Sequence, residues 1–314
     1  MKTTASAPGK IILFGEHAVV YGRPAIAAPV SQVRATAVVE NSPAPGIRLI
    51  APDLGQEMML TEAPPGHPIA AVIRQFELAA GLPALPNLTI TVTSDIPIAS
   101  GLGSGAAITA AVIRALCRHL GLDDYLTPAW ISAQTYEVEK IHHGTPSGID
   151  NTVVSWEMPV YFARRKPQNR IETFTAAAPL HLLVGDTAVS SSTKEVVGDV
   201  RRRWEADPDT FNAIFDGCGR IARAARQAIE QGDLTTVGRL MNENHQLLQE
   251  MTVSCPELDR LVTAAQQAGA LGAKLSGAGR GGNMIALVTP ETAGAVTNAL
   301  RSAGARAILT SILQ

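Results

Sequence analysis

Aromatic rings are scarce in this chain, with three Trp, four Tyr and six Phe among 314 residues. That leaves few surfaces on which single-stranded nucleic acid could stack. Charge is also thin: 17% of residues are charged and the formal net charge is −2. A broad basic footprint for duplex nucleic acid is therefore excluded. The three cysteines, Cys117, Cys218 and Cys255, are odd in number and far apart. They exclude a disulfide framework and a CxxC metal site. No apolar run approaches the roughly 18 residues a membrane helix needs. The stretch before Pro8 lacks the apolar core of a secretory signal. The expectation is a cytoplasmic protein of a reducing compartment, with no nucleic-acid or membrane partner. No low-complexity tract or fixed-period repeat is visible. What the chain has in quantity is glycine, 27 residues, and length enough for two domains of roughly 100–200 residues each.

The pattern along the chain alternates strands with helices, which reads as α+β layers. Short apolar or β-branched runs at Lys10–Phe14, Ala25–Val30 and Val33–Glu40 predict strands near the start. Residues 87–93 alternate strictly between apolar side chains and threonines, the pattern of a strand with one buried face. Helical spacing marks 67–81, 108–120 and 128–142. The polar run 164–170 suggests a boundary, giving domains at 1–170 and 171–314. The second half predicts a strand at 181–185, helices at 212–231, 234–252 and 256–268, a strand at 283–288, a helix at 290–303 and a last strand at 306–312.

Three small-residue motifs carry the chemistry. The first is Ala7-Pro8-Gly9-Lys10, running on to Gly15-Glu16-His17. A turn into a strand, followed by Glu and His, is suited to a polar ligand at a sheet end. The second, residues 95–107, contains Gly101-Leu102-Gly103-Ser104-Gly105-Ala106 between the alternating strand and a helix. Strand, glycine loop and helix N-terminus form a phosphate-binding arrangement, because free N–H groups and the helix dipole meet there. It is not a P-loop, which needs G-x-x-x-x-G-K-[ST]. The third is Lys274-Leu275-Ser276-Gly277-Ala278-Gly279-Arg280-Gly281-Gly282. Its G-x-G-x-x-G spacing precedes a strand, so the dinucleotide reading fails on context. A ligand-wrapping loop and a flexible turn both remain open. Between the second and third motifs lie Glu139, suited by its carboxylate to a hard cation such as Mg²⁺, and Asp150, suited to accept a proton or orient a hydroxyl. His142-His143 has no third ligand at zinc spacing.

Together, P-G-K-x-x-L-x-G-E-H, G-L-G-S-x-A-A and K-x-S-G-A-G-x-G-G resemble the three signatures of the GHMP kinases, in order and over residues 7–283. The stretches 15–22 and 143–151 resemble the mevalonate kinase branch most closely. The resemblance implies an N-terminal domain like ribosomal protein S5 domain 2 and a ferredoxin-like C-terminal domain. It implies ATP and Mg²⁺ as cofactors and a small alcohol as substrate, with mevalonate phosphorylated at its C5 hydroxyl.

By motif, Asp150 would be the catalytic carboxylate and Lys10 its partner. Pro97, Ser100, Gly101, Leu102, Gly103, Ser104, Gly105 and Ala106 would hold the nucleotide. Glu139 and Ser104 would hold the metal. Glu16, His17, Ser147, Gly148, Thr193, Gly277 and Ala278 would meet the substrate. One departure stands out: many relatives carry two serines after G-L-G, whereas this chain has Ser104-Gly105. Another alcohol or phosphate (phosphomevalonate, homoserine or a sugar) and a non-catalytic nucleotide-binding regulator are the competing readings. A homodimer is left open.

Overall fold

The computed structural model describes residues 2–97, 101–143, 146–165 and 169–314, without the side chains of His142 and His143. The chain forms two compact units: one of residues 1–10, 33–98 and 102–157, the other of 11–32, 99–101 and 158–314. Among the described residues, no helix is long and apolar enough to cross a membrane.

Two long strands open the chain, β1 (Lys2–Phe14) and β2 (Ala25–Asn41). In the first unit, the C-terminal half of β2 pairs antiparallel with β5 (Leu88–Ser94). β5 runs parallel to β3 (Ile47–Ala51), which carries β4 (Gln56–Met59) at its edge. The alternation of residues 87–93 is realised here: Leu88, Ile90 and Val92 are buried, with threonines on the other face. Four helices complete the unit: α1 (Pro68–Ala80), α2 (Ser104–Leu120), α3 (Pro128–His143) and α4 (Ile149–Trp156), with α2 against β5 and the helices packed on one another. α1 starts with His67 as N-cap and Pro68 at its first position, and ends at Gly81 in the left-handed conformation. α2 buries alanines at 106, 107, 110, 111 and 115. Such small side chains let neighbouring helices approach closely, so the glycine loop before α2 is held on a rigid support.

In the second unit, the start of β2 pairs with β6 (Val160–Ala163), which pairs with β7 (Arg170–Thr173). A separate antiparallel sheet has the order β11-β8-β10-β9, built from β8 (Leu180–Asp186), β9 (Gly272–Ser276), β10 (Asn283–Val288) and β11 (Ala307–Leu313). The unit's helices are α5 (Thr193–Ala206), α6 (Pro208–Gln231), α7 (Leu234–Glu250), α8 (Pro256–Gln267) and α9 (Ala293–Ser302). Its core joins Phe215, Leu248, Leu258, Leu275, Met284 and Leu300.

Several elements differ from the sequence expectation. β1 runs unbroken from Lys2 to Phe14, so Pro8-Gly9 lies inside a strand and is not a turn into one. The runs 25–30 and 33–40 are one continuous strand, with Ser31 and Gln32 both exposed where they meet. Residues 149–156, for which the sequence pattern predicts no helix, form α4, with Asp150 in its first turn. α4 is eight residues of Ile-Asp-Asn-Thr-Val-Val-Ser-Trp, whose β-branched content argues against a helix locally. α5 also differs. It is polar and mostly exposed, so it leaves little apolar stripe, yet Ser192-Thr193-Lys194-Glu195 is a capping-box sequence, and the Ser192 side chain accepts from the Glu195 N–H.

Candidate active site

The first unit brings Lys10, Ser104, Glu139 and Asp150 to elements that pack on one another. β1 delivers Lys10, whose backbone N–H donates to the Leu102 carbonyl at 2.8 Å. This bond ties the second glycine motif directly to the first. Gly103 has φ 74° and caps α2 without a side chain. A Cβ there would stand 2.8 Å from the Cγ of Lys10, so glycine is required both by conformation and by the lysine stem. The first helical bond of α2 runs from the Ala107 N–H to Gly103. The N–H groups of the first turn therefore point outward, with Ser104 beside them. Pro97, Gly101, Leu102, Gly105 and Ala106 flank that turn; Ser100 lies outside the described residues. Gly105 is exposed and has open space around a would-be Cβ.

Lys10 Nζ lies 3.1 Å from Asp150 Oδ1. The lysine side chain is 8% exposed and the aspartate side chain 29%. The carboxylate thus keeps a solvent-facing side while its partner is buried. Gly148, at φ 91°, precedes α4, and the Thr152 hydroxyl donates back to the Gly148 carbonyl at 2.6 Å. Ser147 supports the same start, accepting from the Ile149 N–H at 3.3 Å.

Glu139, on α3, is buried. Burial and the neighbouring charge of Asp150 push its carboxyl up to about 8, against the pull of Lys10 and a hydrogen bond from the Asn151 backbone. Its Oε2 is buried with no hydrogen-bond partner among the described residues. An orphaned carboxylate oxygen beside a second carboxylate fits a hard cation. Among the described residues, no group of three or more His, Cys, Asp or Glu is gathered to hold a metal ion. A cation here would draw its remaining ligands from water and phosphate, which suits Mg²⁺.

The second unit holds the rest of the first motif against the third. Residues 274, 276 and 278 each grip it. Lys274 Nζ donates to the Glu16 carboxylate and to the Leu275 carbonyl. The Ser276 hydroxyl donates to Ile12 O at 2.9 Å and accepts from the Ile12 N–H at 3.1 Å. His17 Nε2 donates to Ala278 O at 2.8 Å. Both side chains of the Lys274–Glu16 pair are 0% exposed. The turn they secure is tight: Gly15 has φ 91° with no room for a Cβ beside Pro24 and Ala25, and His17 itself has φ 57°. Burial pulls the His17 imidazole down to about 4, aided by nearby Arg280, against the raising effect of the Ala278 bond. The ring is neutral at neutral pH. Since a carbonyl can only accept, the proton sits on Nε2 and leaves Nδ1 as an acceptor.

Within the third motif, Gly279 and Gly281 have positive φ and lie against the backbones of Val253 and Val189. Those two glycines serve internal packing. Gly277 and Gly282 face open space. Thr193 is exposed at the start of α5, and Ser191 donates to Gly279 O at 2.7 Å. The sequence alone pointed to neither the Lys274–Glu16 pair nor a buried arginine, Arg114. The available signals were a lysine flanked by Ala273 and Leu275 in a strand, and an arginine inside an apolar helical stripe.

Comparison with known proteins agrees with this geometry. The model of the GHMP kinases N terminal domain matches residues 67–157, and that of the GHMP kinases C terminal matches 225–306. A mevalonate kinase of Thermococcus sibiricus is 37% identical over 331 residues, covering 99% of this chain and 96% of that protein. The crystal structure of L. major mevalonate kinase in complex with R-mevalonate superposes with a TM-score of 0.86 at 30% identity, covering 99% of this chain and 95% of that one. The Methanococcus jannaschii mevalonate kinase superposes with a TM-score of 0.85 at 26% identity, covering 100% and 99%. A Lys–Asp pair beside a glycine-opened helix, both family domains and near-complete coverage converge: the chain belongs to the GHMP kinase family, in its mevalonate kinase branch.

Proposed function

We propose that this chain transfers the γ-phosphoryl group of ATP to the C5 hydroxyl of mevalonate, giving 5-phosphomevalonate and ADP. The observation that carries this reading is the Lys10–Asp150 pair at 3.1 Å, on a strand bonded to the loop that opens α2. Phosphoryl transfer proceeds through a loose transition state, so positioning and charge stabilisation do most of the catalysis. Asp150 orients the alcohol and takes its proton late. Lys10 holds the Asp150 carboxylate in an ion pair and lends positive charge to the transferring group. The first-turn N–H groups of α2, with Ser104, Gly105 and Ala106 and the preceding Gly101, Leu102 and Gly103, cradle the phosphates; Pro97 and Ser100 are assigned to the same nucleotide. Glu139 and Ser104 would hold Mg²⁺, which neutralises phosphate charge when bound.

Substrate contacts are assigned to His17, Ser147, Gly148, Thr193, Gly277 and Ala278. His17 offers its Nδ1 acceptor to a hydroxyl. Glu16 is assigned a supporting role, because a carboxylate sealed against Lys274 has no open side for substrate.

A phosphorylated alcohol is the main rival. Two of the arginines it would need are already engaged: Arg23 with Asp216, Asn212 and the Tyr21 carbonyl, and Arg280 with Asp199 and the Thr252 carbonyl. This favours an alcohol without phosphate. A silent regulator would have no use for a half-open Asp150 beside a buried lysine. An ADP-release assay against mevalonate, phosphomevalonate, homoserine and galactose decides among these readings. Turnover highest on mevalonate is expected. Preference for another alcohol, or no ADP release at all, would overturn the assignment.

A further inference from the structure

Arg114 lies in the middle of α2 and is 8% exposed. Nothing in the proposed chemistry uses it directly. Its guanidinium nonetheless reaches four acceptors. Nη1 donates to Ser6 O at 2.8 Å and to Glu157 Oε1 at 2.6 Å. Nη2 donates to Val154 O at 3.2 Å and to Ser155 O at 2.7 Å. The last two are carbonyls at the C-terminal end of α4, which have no partner inside their own helix. A buried cation there also meets the negative end of the helix dipole. Arg34 closes the network, donating to Ser6 Oγ at 2.9 Å and to Glu157 Oε2 at 2.8 Å.

The three elements joined at Arg114 are those that carry the reacting groups. β1 bears Ser6 and, four residues on, Lys10. α2 bears Arg114 and, at its start, Ser104. α4 bears Val154 and Ser155 and, in its first turn, Asp150. At strand and helix rises, the network lies about 6–15 Å along each element from its reacting group. An eight-residue helix such as α4 has little stability of its own, so its direction is set by its anchors. At its N-terminal end those anchors are Asn151, which donates to Ser132, and Thr152, which donates to Gly148. At its C-terminal end the anchor is Arg114.

We propose that Arg114 is a positioning residue: by bridging β1, α2 and α4 it fixes how Lys10, Ser104 and Asp150 face one another. The inference rests on the phosphoryl-transfer reading above, though not on which alcohol is used. A misplacement of about 1 Å at the reacting atoms costs up to about 10²-fold in rate. The network therefore acts on the chemical step and not on nucleotide affinity.

Arg114→Lys tests this, since an ammonium keeps the charge but lacks the fork that spans four acceptors. Single-turnover phosphoryl transfer should fall about 10- to 100-fold. The Kd for ATP should stay within about twofold, and thermal unfolding should remain cooperative. An unchanged transfer rate, or a loss confined to ATP affinity, overturns the proposal. Should Arg114→Lys not fold, Glu157→Gln keeps Arg114 on its three carbonyls and removes only the ionic tie. A folded Glu157→Gln should lose roughly threefold to tenfold in transfer rate at unchanged ATP affinity; full activity there overturns the proposal. The unsubstituted chain is the control. If it is inactive on every alcohol tested, the functional reading fails; if it is active and the variants are undiminished, only the role of Arg114 fails.

Discussion

Two lysine–carboxylate pairs invite comparison. Lys10–Asp150 in the first unit leaves its carboxylate 29% exposed, whereas Lys274–Glu16 in the second is sealed at 0% on both sides. The charges are alike and the surroundings are opposite. An ion pair with one open side can meet an incoming hydroxyl and exchange a proton with it. A sealed pair cannot, and its desolvation has to be offset by close contact and further hydrogen bonds, such as the one from Lys274 to the Leu275 carbonyl. Burial therefore separates the pair proposed to react from the pair proposed to support, which sequence motifs present as equals.

The sharpest break of this comparison is Asp150→Asn. Loss of the proton acceptor should lower kcat by about 10²–10⁴, with ATP affinity and unfolding midpoint close to those of the parent. Isothermal titration with ATP beside steady-state kinetics measures both. The sealed pair should respond the other way. Lys274→Met strands a buried carboxylate and should cost about 3–5 kcal/mol in urea unfolding. Removing both charges, as Glu16→Gln with Lys274→Met, should recover most of that loss, since buried pairs are often replaceable by neutral groups.

Acid unfolding probes the turn that the sealed pair secures. His17 falls from an ordinary value of 6.5 to about 4 in the folded chain because it is buried. Above pH 6.5 both folded and unfolded forms are neutral there. As pH falls from 6.5 toward 4, only the unfolded state gains the proton, so stability is lost across that window by about 3 kcal/mol. His17→Asn, which tolerates the left-handed backbone, should flatten that part of the pH–stability curve. A slope unchanged by the substitution would mean the imidazole is not held neutral. The smallest effect belongs to the open side. Gly105 has space for a side chain, so Gly105→Ser should stabilise α2 by about 0.5 kcal/mol and leave kcat within about twofold of the parent. A tenfold fall would show that the first turn requires bare backbone.

Much of this was legible in the residues. The alternation at 87–93, the helical spacing at 67–81, and the strand–glycine–helix order around Ser104 follow from local rules and recur in the structure. The pairing of Lys10 with Asp150, 140 positions apart, came from family resemblance, because no local pattern encodes so distant a contact. α4 escaped because Thr152, Val153 and Val154 favour extended backbone, and only tertiary anchors hold them helical. The grip of residues 274, 276 and 278 on residues 12–17 escaped for a related reason. A period-2 strand signal says which side chains share a face, but not which distant segment lies beneath it.

The central claim is that Asp150 reacts while Glu16 supports. ATP-dependent turnover of mevalonate by Asp150→Asn and by the Glu16→Gln/Lys274→Met double variant, measured side by side on folded protein, tests it most directly. A loss of at least about 10²-fold is expected for the first and less than about tenfold for the second. The reverse order, with Asp150→Asn active and the neutralised pair dead, would contradict it.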